Sequence, residues 1–337
     1  MVQNISRRGF LSVSTTGVMA AAVADIPTPT PQKIPWETRL IISNRAELRM
    51  LQFTDIHFFN GATRRPEREK QKRNQTLDDA RRLIDHAKPD VLLITGDVWH
   101  DNPDGRGAEF MNYAIEQFAS WGVPWAFTWG NHDQLDDYKA AHKVLAEAKH
   151  SLYGGIEKDG NYVVTFENRD GTCLAEIFCL NTRDTGIDKM AQQFIHEAAV
   201  TLDTRHKRPM RLGAFHIPIK QYKDVWDNDT ARGIIGENVC MEKEDGTSLP
   251  ILAAAGIQAV FCGHDHVNDY AGSMEGVDLI YGRTTGHNGY GTSKVPKGAK
   301  LYTLDPALKT LEWVSLLPDG TTWKPGTNER KDTRRSS

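Results

Sequence analysis

The chain is poor in several features that would have fixed its class at once. Its 337 residues include four cysteines, Cys173, Cys179, Cys240 and Cys262, with no CxxC pair among them. Cys173 and Cys179 fall in one strand-like segment, too far apart to bridge while extended. Cys262 lies in an apolar run, as a buried thiol does. No disulfide is identified. A formal net charge of −3 gives no support for a general nucleic-acid binder, which carries a strongly basic domain. No internal repeat is present, and the apolar stretch near the N-terminus is too short and too weak for a membrane anchor. What remains, with 39% hydrophobic and 25% charged residues, is an ordinary globular composition.

That N-terminal stretch has an order of its own. Ser6-Arg7-Arg8-Gly9-Phe10-Leu11 is a twin-arginine pattern, and a mild apolar run follows it to Ala22-Val23-Ala24, a small-x-small cleavage site. Residues 1–24 are expected to be a signal peptide for the twin-arginine export machinery, which places the mature protein in the periplasm or outside the cell of a bacterium. Residues 25–47 are expected to be a linker and N-terminal segment, proline- and threonine-rich from Asp25 to Trp36, 48–317 the folded domain, and 318–337 a polar, basic, disordered tail.

Within the domain, apolar runs alternate with segments of helical spacing. Residues 48–53 form an expected first strand. Leu77, Ala80, Leu83, Ile84 and Ala87 mark a helix stopped by Pro89. Val91-Leu92-Leu93-Ile94 suits a strand buried on both faces. A helix around residues 110–118, a strand over 123–128 and a helix over 135–149 complete a β-α-β-α-β order, which implies parallel strands. Strands over 162–166 and 174–180 are expected to form a hairpin around Asn168-Arg169-Asp170-Gly171. A helix over 188–203, a strand over 211–215, a short helix over 249–255 and a strand over 258–262 follow. Strands over 277–281, 300–304 and 310–316 suggest a second sheet. Residues 217–248 show no regular pattern, and a connection that long is functional by default.

Five expected strand ends carry metal-ligand residue types: Asp55 with His57, Asp97, Asn131 with His132, His216, and His264 with His266. In extended backbone, residues two apart point the same way, so Asp55 and His57 are expected to face one ion. Parallel strands bring their C-terminal ends to one edge. Each piece alone fits a plain turn or a core histidine; their recurrence at successive strand ends does not. Mixed Asp, Asn and His ligands suit Mn, Fe or Zn better than Mg or Ca.

The motifs Asp55-x-His57, Gly96-Asp97, Gly130-Asn131-His132-Asp133, His216 and Gly263-His264-x-His266, taken in order, resemble the signature of the calcineurin-like metallophosphoesterase superfamily. The resemblance spans roughly residues 48 to 290. It implies an α/β fold, a four-layer α/β/β/α sandwich with two mixed β-sheets and the metal site at the strand C-terminal ends. It implies two divalent metal ions, one held by Asp55, His57, Asp97 and His266, the other by Asp97, Asn131, His216 and His264, with Asp97 shared. The runs 259–270 and 281–291 resemble the branch related to purple acid phosphatases. That branch has a tyrosine ligand three residues after the shared aspartate, where this chain has His100, and lacks the histidine found here at His57. The iron–phenolate chromophore is therefore not expected.

The chemistry implied is hydrolysis of a small phosphate ester by a hydroxide between the ions, with His132 as general acid. Asp133 is a candidate to orient His132, and Arg283, in a glycine-rich loop, to clamp a phosphate oxygen. Arg64 or Arg65 has a candidate phosphate-facing role, and Tyr222 and Trp226 are expected to pack the 217–248 segment down. Phosphomonoesters are the leading substrate class. A phosphodiesterase, and a metal- and phosphate-binding protein without turnover, are the alternatives.

Overall fold

The computed structural model describes residues 34–42, 47–206 and 209–334. The expected signal peptide, residues 1–24, lies outside them. The N-terminal segment that follows the expected linker contributes a strand, β1 (Glu37–Ile41), pairing in parallel with β5 (Tyr162–Glu167). Glu37 fixes it there: its buried carboxylate accepts from the Thr165 hydroxyl at 2.8 Å. Trp36 packs edge-on to Phe194.

The expected β-α-β-α-β order is present as β2 (Leu48–Phe53), α1 (Pro66–Ala87), β3 (Val91–Thr95), α2 (Gly107–Ser120) and β4 (Trp125–Thr128), with β2, β3 and β4 parallel. The charged run before Leu77 is helical. Pro66 starts α1, where a missing N–H is harmless, and Lys88 ends it in a left-handed conformation. Leu77, Ala80, Leu83 and Ala87 form its buried stripe. After α3 (Tyr138–Glu147), β5 and β6 (Cys173–Cys179) form the expected antiparallel hairpin. Next come α4 (Lys189–Asp203) and β7 (Met210–Ala214).

Residues 217–248 are more regular than expected. They hold α5 (Gln221–Asp227) and β8 (Arg232–Ile235), elements too short for a periodic pattern to show. Tyr222 and Trp226 are fully buried, as expected, and Tyr222 donates to the carbonyls of Val260 and Ile280. The chain continues through α6 (Ser248–Ala254), β9 (Ile257–Cys262), β10 (Asp269–Met274), β11 (Val277–Tyr281), β12 (Ala299–Asp305) and β13 (Thr310–Leu316). The tail is not wholly irregular: β14 (Thr322–Trp323) pairs with β13, and β15 (Arg330–Asp332) pairs in parallel with β8.

These strands make two mixed sheets. One has the order β1-β5-β6-β7-β9-β11-β10-β8-β15, the other β14-β13-β12-β2-β3-β4. The late strands are thus divided: β11 joins the first sheet, and β12 and β13 extend the second beside β2. The sheets pack face to face. Phe261 meets Tyr302 at a ring distance of 4.0 Å, and Tyr162 of the first sheet both donates to and accepts from the Phe127 backbone of the second. Each large side chain fully buried there contributes about 1.5–3 kcal/mol. Of the helices, α1 packs on β2 and α6 on β9, one on each sheet, which gives the expected four-layer α/β/β/α sandwich.

Candidate metal centre

Both sheets supply the site. Asp55 follows β2, Asp97 follows β3 and Asn131 lies just beyond β4, all in the smaller sheet; His216 follows β7 and His264 follows β9 in the larger. Hydrogen bonds hold the loops within each sheet and across the seam. Asp55 N donates to Gly96 O at 3.2 Å in the smaller sheet and Gly263 N to His216 O at 3.0 Å in the larger, while His264 N crosses to Asp55 Oδ2 at 3.1 Å.

The local backbone is not the extended chain expected for Asp55 and His57. Both have left-handed φ, 53° and 52°, as do Asp97 at 52° and His264 at 75°. Four such non-glycine residues in one site mark stored strain that the surrounding hydrogen bonds hold in place. Gly96 is required here. Its φ is 78°, and a Cβ would come within 2.7 Å of the His216 ring.

Two candidate ligand groups result: Asp55, His57 and His266, and Asp97, His216 and His264. Asp97 joins them, its Oδ2 lying 3.6 Å from His57 Nε2 and 3.2 Å from His216 Nε2. Asn131 Oδ1 is 3.2 Å from His216 Nε2, so Asn131 belongs to the second group. His264 and His266 do not share one group: His264 Nδ1 faces His216 at 3.2 Å, and His266 Nε2 faces His57 Nε2 at 3.0 Å. The imidazoles are oriented from behind. His216 Nδ1 donates to Thr95 O at 2.8 Å and His266 Nδ1 to Tyr290 O at 3.2 Å, which aims each Nε2 inward.

The donors fit divalent cations. Asp55 Oδ1 is buried without a hydrogen-bond partner, although His266 Nε2 lies 3.3 Å away. Burial would raise the Asp55 carboxyl, but the neighbouring histidines, His266 first, pull it below its ordinary range. Burial likewise opposes, and His216 outweighs, for Asp97. Burial pushes His57 well below its ordinary value and, with His216 nearby, lowers His264 to about 4. His216 is raised to about 10, since Asp97 overrides the effect of burial. Two anionic carboxylates on which the imidazoles of His57, His216, His264 and His266 converge are a divalent first-row metal set.

His132 stands at the rim, its side chain about one-third exposed (34%). Its ring lies 5.2 Å from that of His57 and stacks on His100 at 4.4 Å. His132 N donates to Asp97 Oδ1 at 2.8 Å. The carboxylate that orients its ring is Asp101, with Nδ1 and Oδ1 2.7 Å apart, and not Asp133 as the sequence suggested. Asp133 points the other way. It accepts from the backbone N–H groups of Asp97, Val98 and Gly130 at 2.8–2.9 Å and so pins the two ligand loops together. Burial, reinforced by Asp97, raises it to about 7. Asp101 was missed because its only signal is proximity to Asp97 in a loop whose turn the sequence does not specify.

Arg283 is not a phosphate clamp. It is 3% exposed and its Nε donates to Asp269 Oδ2 at 2.7 Å, on a buried carboxylate that also pairs with Lys300 and accepts from Ser315. A glycine-rich loop suggested freedom, but the loop is folded in: Gly286 N donates to Asp55 O at 3.3 Å. Arg64 and Arg65 are exposed beside the site. The four cysteines are all free thiols.

This geometry agrees with what the chain is similar to. A sequence model of calcineurin-like phosphoesterases matches residues 48–268. The chain is 27% identical to a protein of Arabidopsis thaliana named probable inactive purple acid phosphatase 28, over 82% of this chain and 79% of that one. It is 25% identical to probable inactive purple acid phosphatase 29 of the same plant, over 90% and 88%. It is 23% identical to phosphatase DCR2 of Saccharomyces cerevisiae, over 69% of this chain and 46% of that one. Among solved structures, a dimetal phosphatase from Danio rerio superposes with a TM-score of 0.51 at 12% identity, covering 80% of this chain and 95% of that one, and shares the fold. With the family match running from the first strand of the site to just beyond His266, the chain belongs to the calcineurin-like phosphoesterases.

Proposed function

We propose that the protein hydrolyses phosphomonoesters at a dinuclear metal centre. Asp55, His57 and His266 would hold one divalent ion, and Asn131, His216 and His264 the other, with Asp97 between them. When bound, such ions supply positive charge for the phosphoryl oxygens and lower the pKa of water to give a nucleophile near neutral pH. The chain's own residues do the rest. Asp101 accepts a hydrogen bond from Nδ1 of His132, so Nε2 is the atom left to face the leaving group. A proton held at Nε2 can pass to the departing alkoxide as the ester bond breaks. His100 stacks behind the imidazole and limits its rotation.

The observation that carries this reading is the placement of His132, oriented by a carboxylate, at the rim of two converging ligand groups. A structural histidine has no need of that position. The names of the Arabidopsis relatives favour a second reading, a metal-binding protein without turnover. Retention of every candidate ligand together with the Asp101–His132 pair supports catalysis. A phosphodiesterase is the alternative within enzymes.

One experiment separates the three. The purified chain is reconstituted with Mn, Fe or Zn and assayed on p-nitrophenyl phosphate and bis-p-nitrophenyl phosphate, with metal content measured on the same sample. Faster turnover of the monoester is expected. Preference for the diester supports the phosphodiesterase, and full metal content without turnover supports the binding protein. The twin-arginine pattern at residues 6–11 supports a further proposal, export in the folded state to the periplasm, to be checked by cell fractionation.

A further inference from the structure

The first turns of α1 lie beside the metal centre and are strongly basic. Arg64, Arg65, Arg68 and Lys72 line a cavity of about 320 Å³ whose floor is Asn60, Gly61 and Asn288. A second cavity of about 460 Å³ shares Asn60, Gly61 and Arg64 with it and reaches His100 and Asp101. Together they form one groove that runs from the partner of His132 to the basic end of α1.

The cations in this groove lack carboxylate partners among the described residues, since the two acids in its walls are already used: Asp101 by His132, and Glu69 within the floor. Glu69 is 4% exposed, and its carboxylate pairs with Arg73 at 2.9 Å, accepts from Phe59 N at 3.1 Å and accepts from Asn288 Nδ2 at 3.2 Å. Those bonds also tie α1, the loop after His57 and the loop before Tyr290 into a rigid floor, with Asn60 Nδ2 donating to Asn288 O at 3.1 Å. Lys297, outside the lining of both cavities, is close enough to Lys72 to feel its charge. Its ammonium donates to the Tyr290 carbonyl that His266 Nδ1 also contacts, which puts it directly behind a candidate metal ligand. Glu237, the other acid nearby, is engaged by the Tyr290 hydroxyl at 2.7 Å and Val267 N at 3.0 Å. Burial, with help from Lys72, lowers Lys297 to about 8; burial and Arg68 lower Lys72. Like charges are therefore crowded together on a fixed surface.

Unpaired cations on a rigid floor, opening onto a phosphate-hydrolysing centre, call for an anion. We propose that this groove is a subsite for a second anionic group of the substrate, so that the preferred substrate class is phosphomonoesters carrying a further phosphate. This rests on the phosphomonoesterase reading and deepens it.

The test uses the metal-loaded full chain and the variant Arg65→Gln/Arg68→Gln/Lys72→Gln, with Arg81→Gln/Arg82→Gln, toward the other end of the same helix, as control. Turnover is compared on adenosine 3′,5′-bisphosphate and on adenosine 5′-monophosphate, and binding of inorganic pyrophosphate is measured by calorimetry on the same proteins. The native chain is expected to prefer the bisphosphate. The triple variant is expected to lose that preference by about tenfold and to bind pyrophosphate about tenfold more weakly, as for loss of charge-assisted hydrogen bonds, with the control unchanged. An unchanged preference in the triple variant, or an equal loss on both substrates, overturns the subsite. If the native chain turns over neither substrate, the phosphomonoesterase reading fails, and pyrophosphate binding still decides the subsite: weaker binding by the triple variant supports it, and equal binding overturns it.

Discussion

His132 and Asp101 are bonded to each other twice. The imidazole Nδ1 lies 2.7 Å from Asp101 Oδ1, and Asp101 N donates back to the His132 carbonyl at 2.8 Å. The backbone bond joins the loop after β3 to the loop after β4, and the side-chain bond fixes the face that His132 turns to the site. If His132 is the general acid, its removal is felt most by substrates with poor leaving groups. His132→Ala is expected to lower kcat by about 10²–10⁴-fold. Asp101→Ala should lower it less, and more on phenyl phosphate than on p-nitrophenyl phosphate, because nitrophenolate departs without a proton. Equal losses of Asp101→Ala on the two substrates would count against the positioning role.

Among the described residues, Asp97 is the one carboxylate within 4 Å of a histidine of each candidate group. Asp97→Asn is therefore expected to reduce metal content more than either His264→Ala or His266→Ala, each of which touches one group. Metal analysis after dialysis, read beside activity, checks the order. Chelator treatment of the native chain should abolish turnover, and adding back a first-row divalent ion should restore it.

Asp269 holds two buried cations, Arg283 and Lys300, and accepts from Ser315 Oγ at 2.7 Å. Removing its charge leaves both cations in the core without compensation, a loss of about 3–5 kcal/mol. Asp269→Asn is thus expected to lower the urea midpoint strongly. Arg283→Met should likewise act on stability and leave KM largely unchanged in the protein that stays folded, which separates a core ion pair from a substrate clamp.

His142 gives a pH dependence away from the metal ligands. Trp129 Nε1 donates to the Tyr153 hydroxyl at 2.9 Å, so that hydroxyl can donate in turn to His142 Nδ1, 2.6 Å away. The ring is most comfortable neutral, and burial lowers it from its ordinary 6.5, against the pull of Asp159. A base whose folded pKa lies below its unfolded one stabilises fully above about 6.5 and loses that stability as pH falls, because the unfolded chain takes up the proton first. The slope is at most about 1.4 kcal/mol per pH unit for one proton. Denaturation of the native chain and of His142→Phe at pH 7.5 and pH 5.5 should show a larger acid loss in the native chain. Parallel losses would assign the dependence to other groups.

Much of the site was legible because the information is local. A strand that ends in Gly-Asp or Gly-Asn-His states its ligand type within a few residues, and the alternation of apolar runs with helical spacing orders those ends along one edge. The expected ligands Asp55, His57, Asp97, Asn131, His216, His264 and His266 converge accordingly. The errors concern partners. Asp133 follows His132 directly in the chain yet bonds to the backbone of the preceding strand's loop, whereas Asp101, thirty-one residues earlier, meets the imidazole. Arg283 lies in a loop rich in glycine, yet Asp269 draws it inward. Residues 37–41 and 330–332 become strands only because edges of the larger sheet are there to receive them.

The sequence by itself determined which residue types stand at the strand ends and the order of strands and helices along the chain; the order of the layers, and His100 at the position of a chromophore tyrosine, came from the family resemblance. Side-chain alternation and strand length act over a few residues, and no long-range contact is needed to read them. The tertiary structure alone decided that the ligands come from two sheets, that four of the strand-end residues at the centre adopt left-handed backbone, and that the carboxylate behind His132 is Asp101. Each of these depends on how the two sheets meet. That is set by the packing of side chains such as Phe261 and Tyr302, forty-one positions apart, whose contact no local pattern encodes.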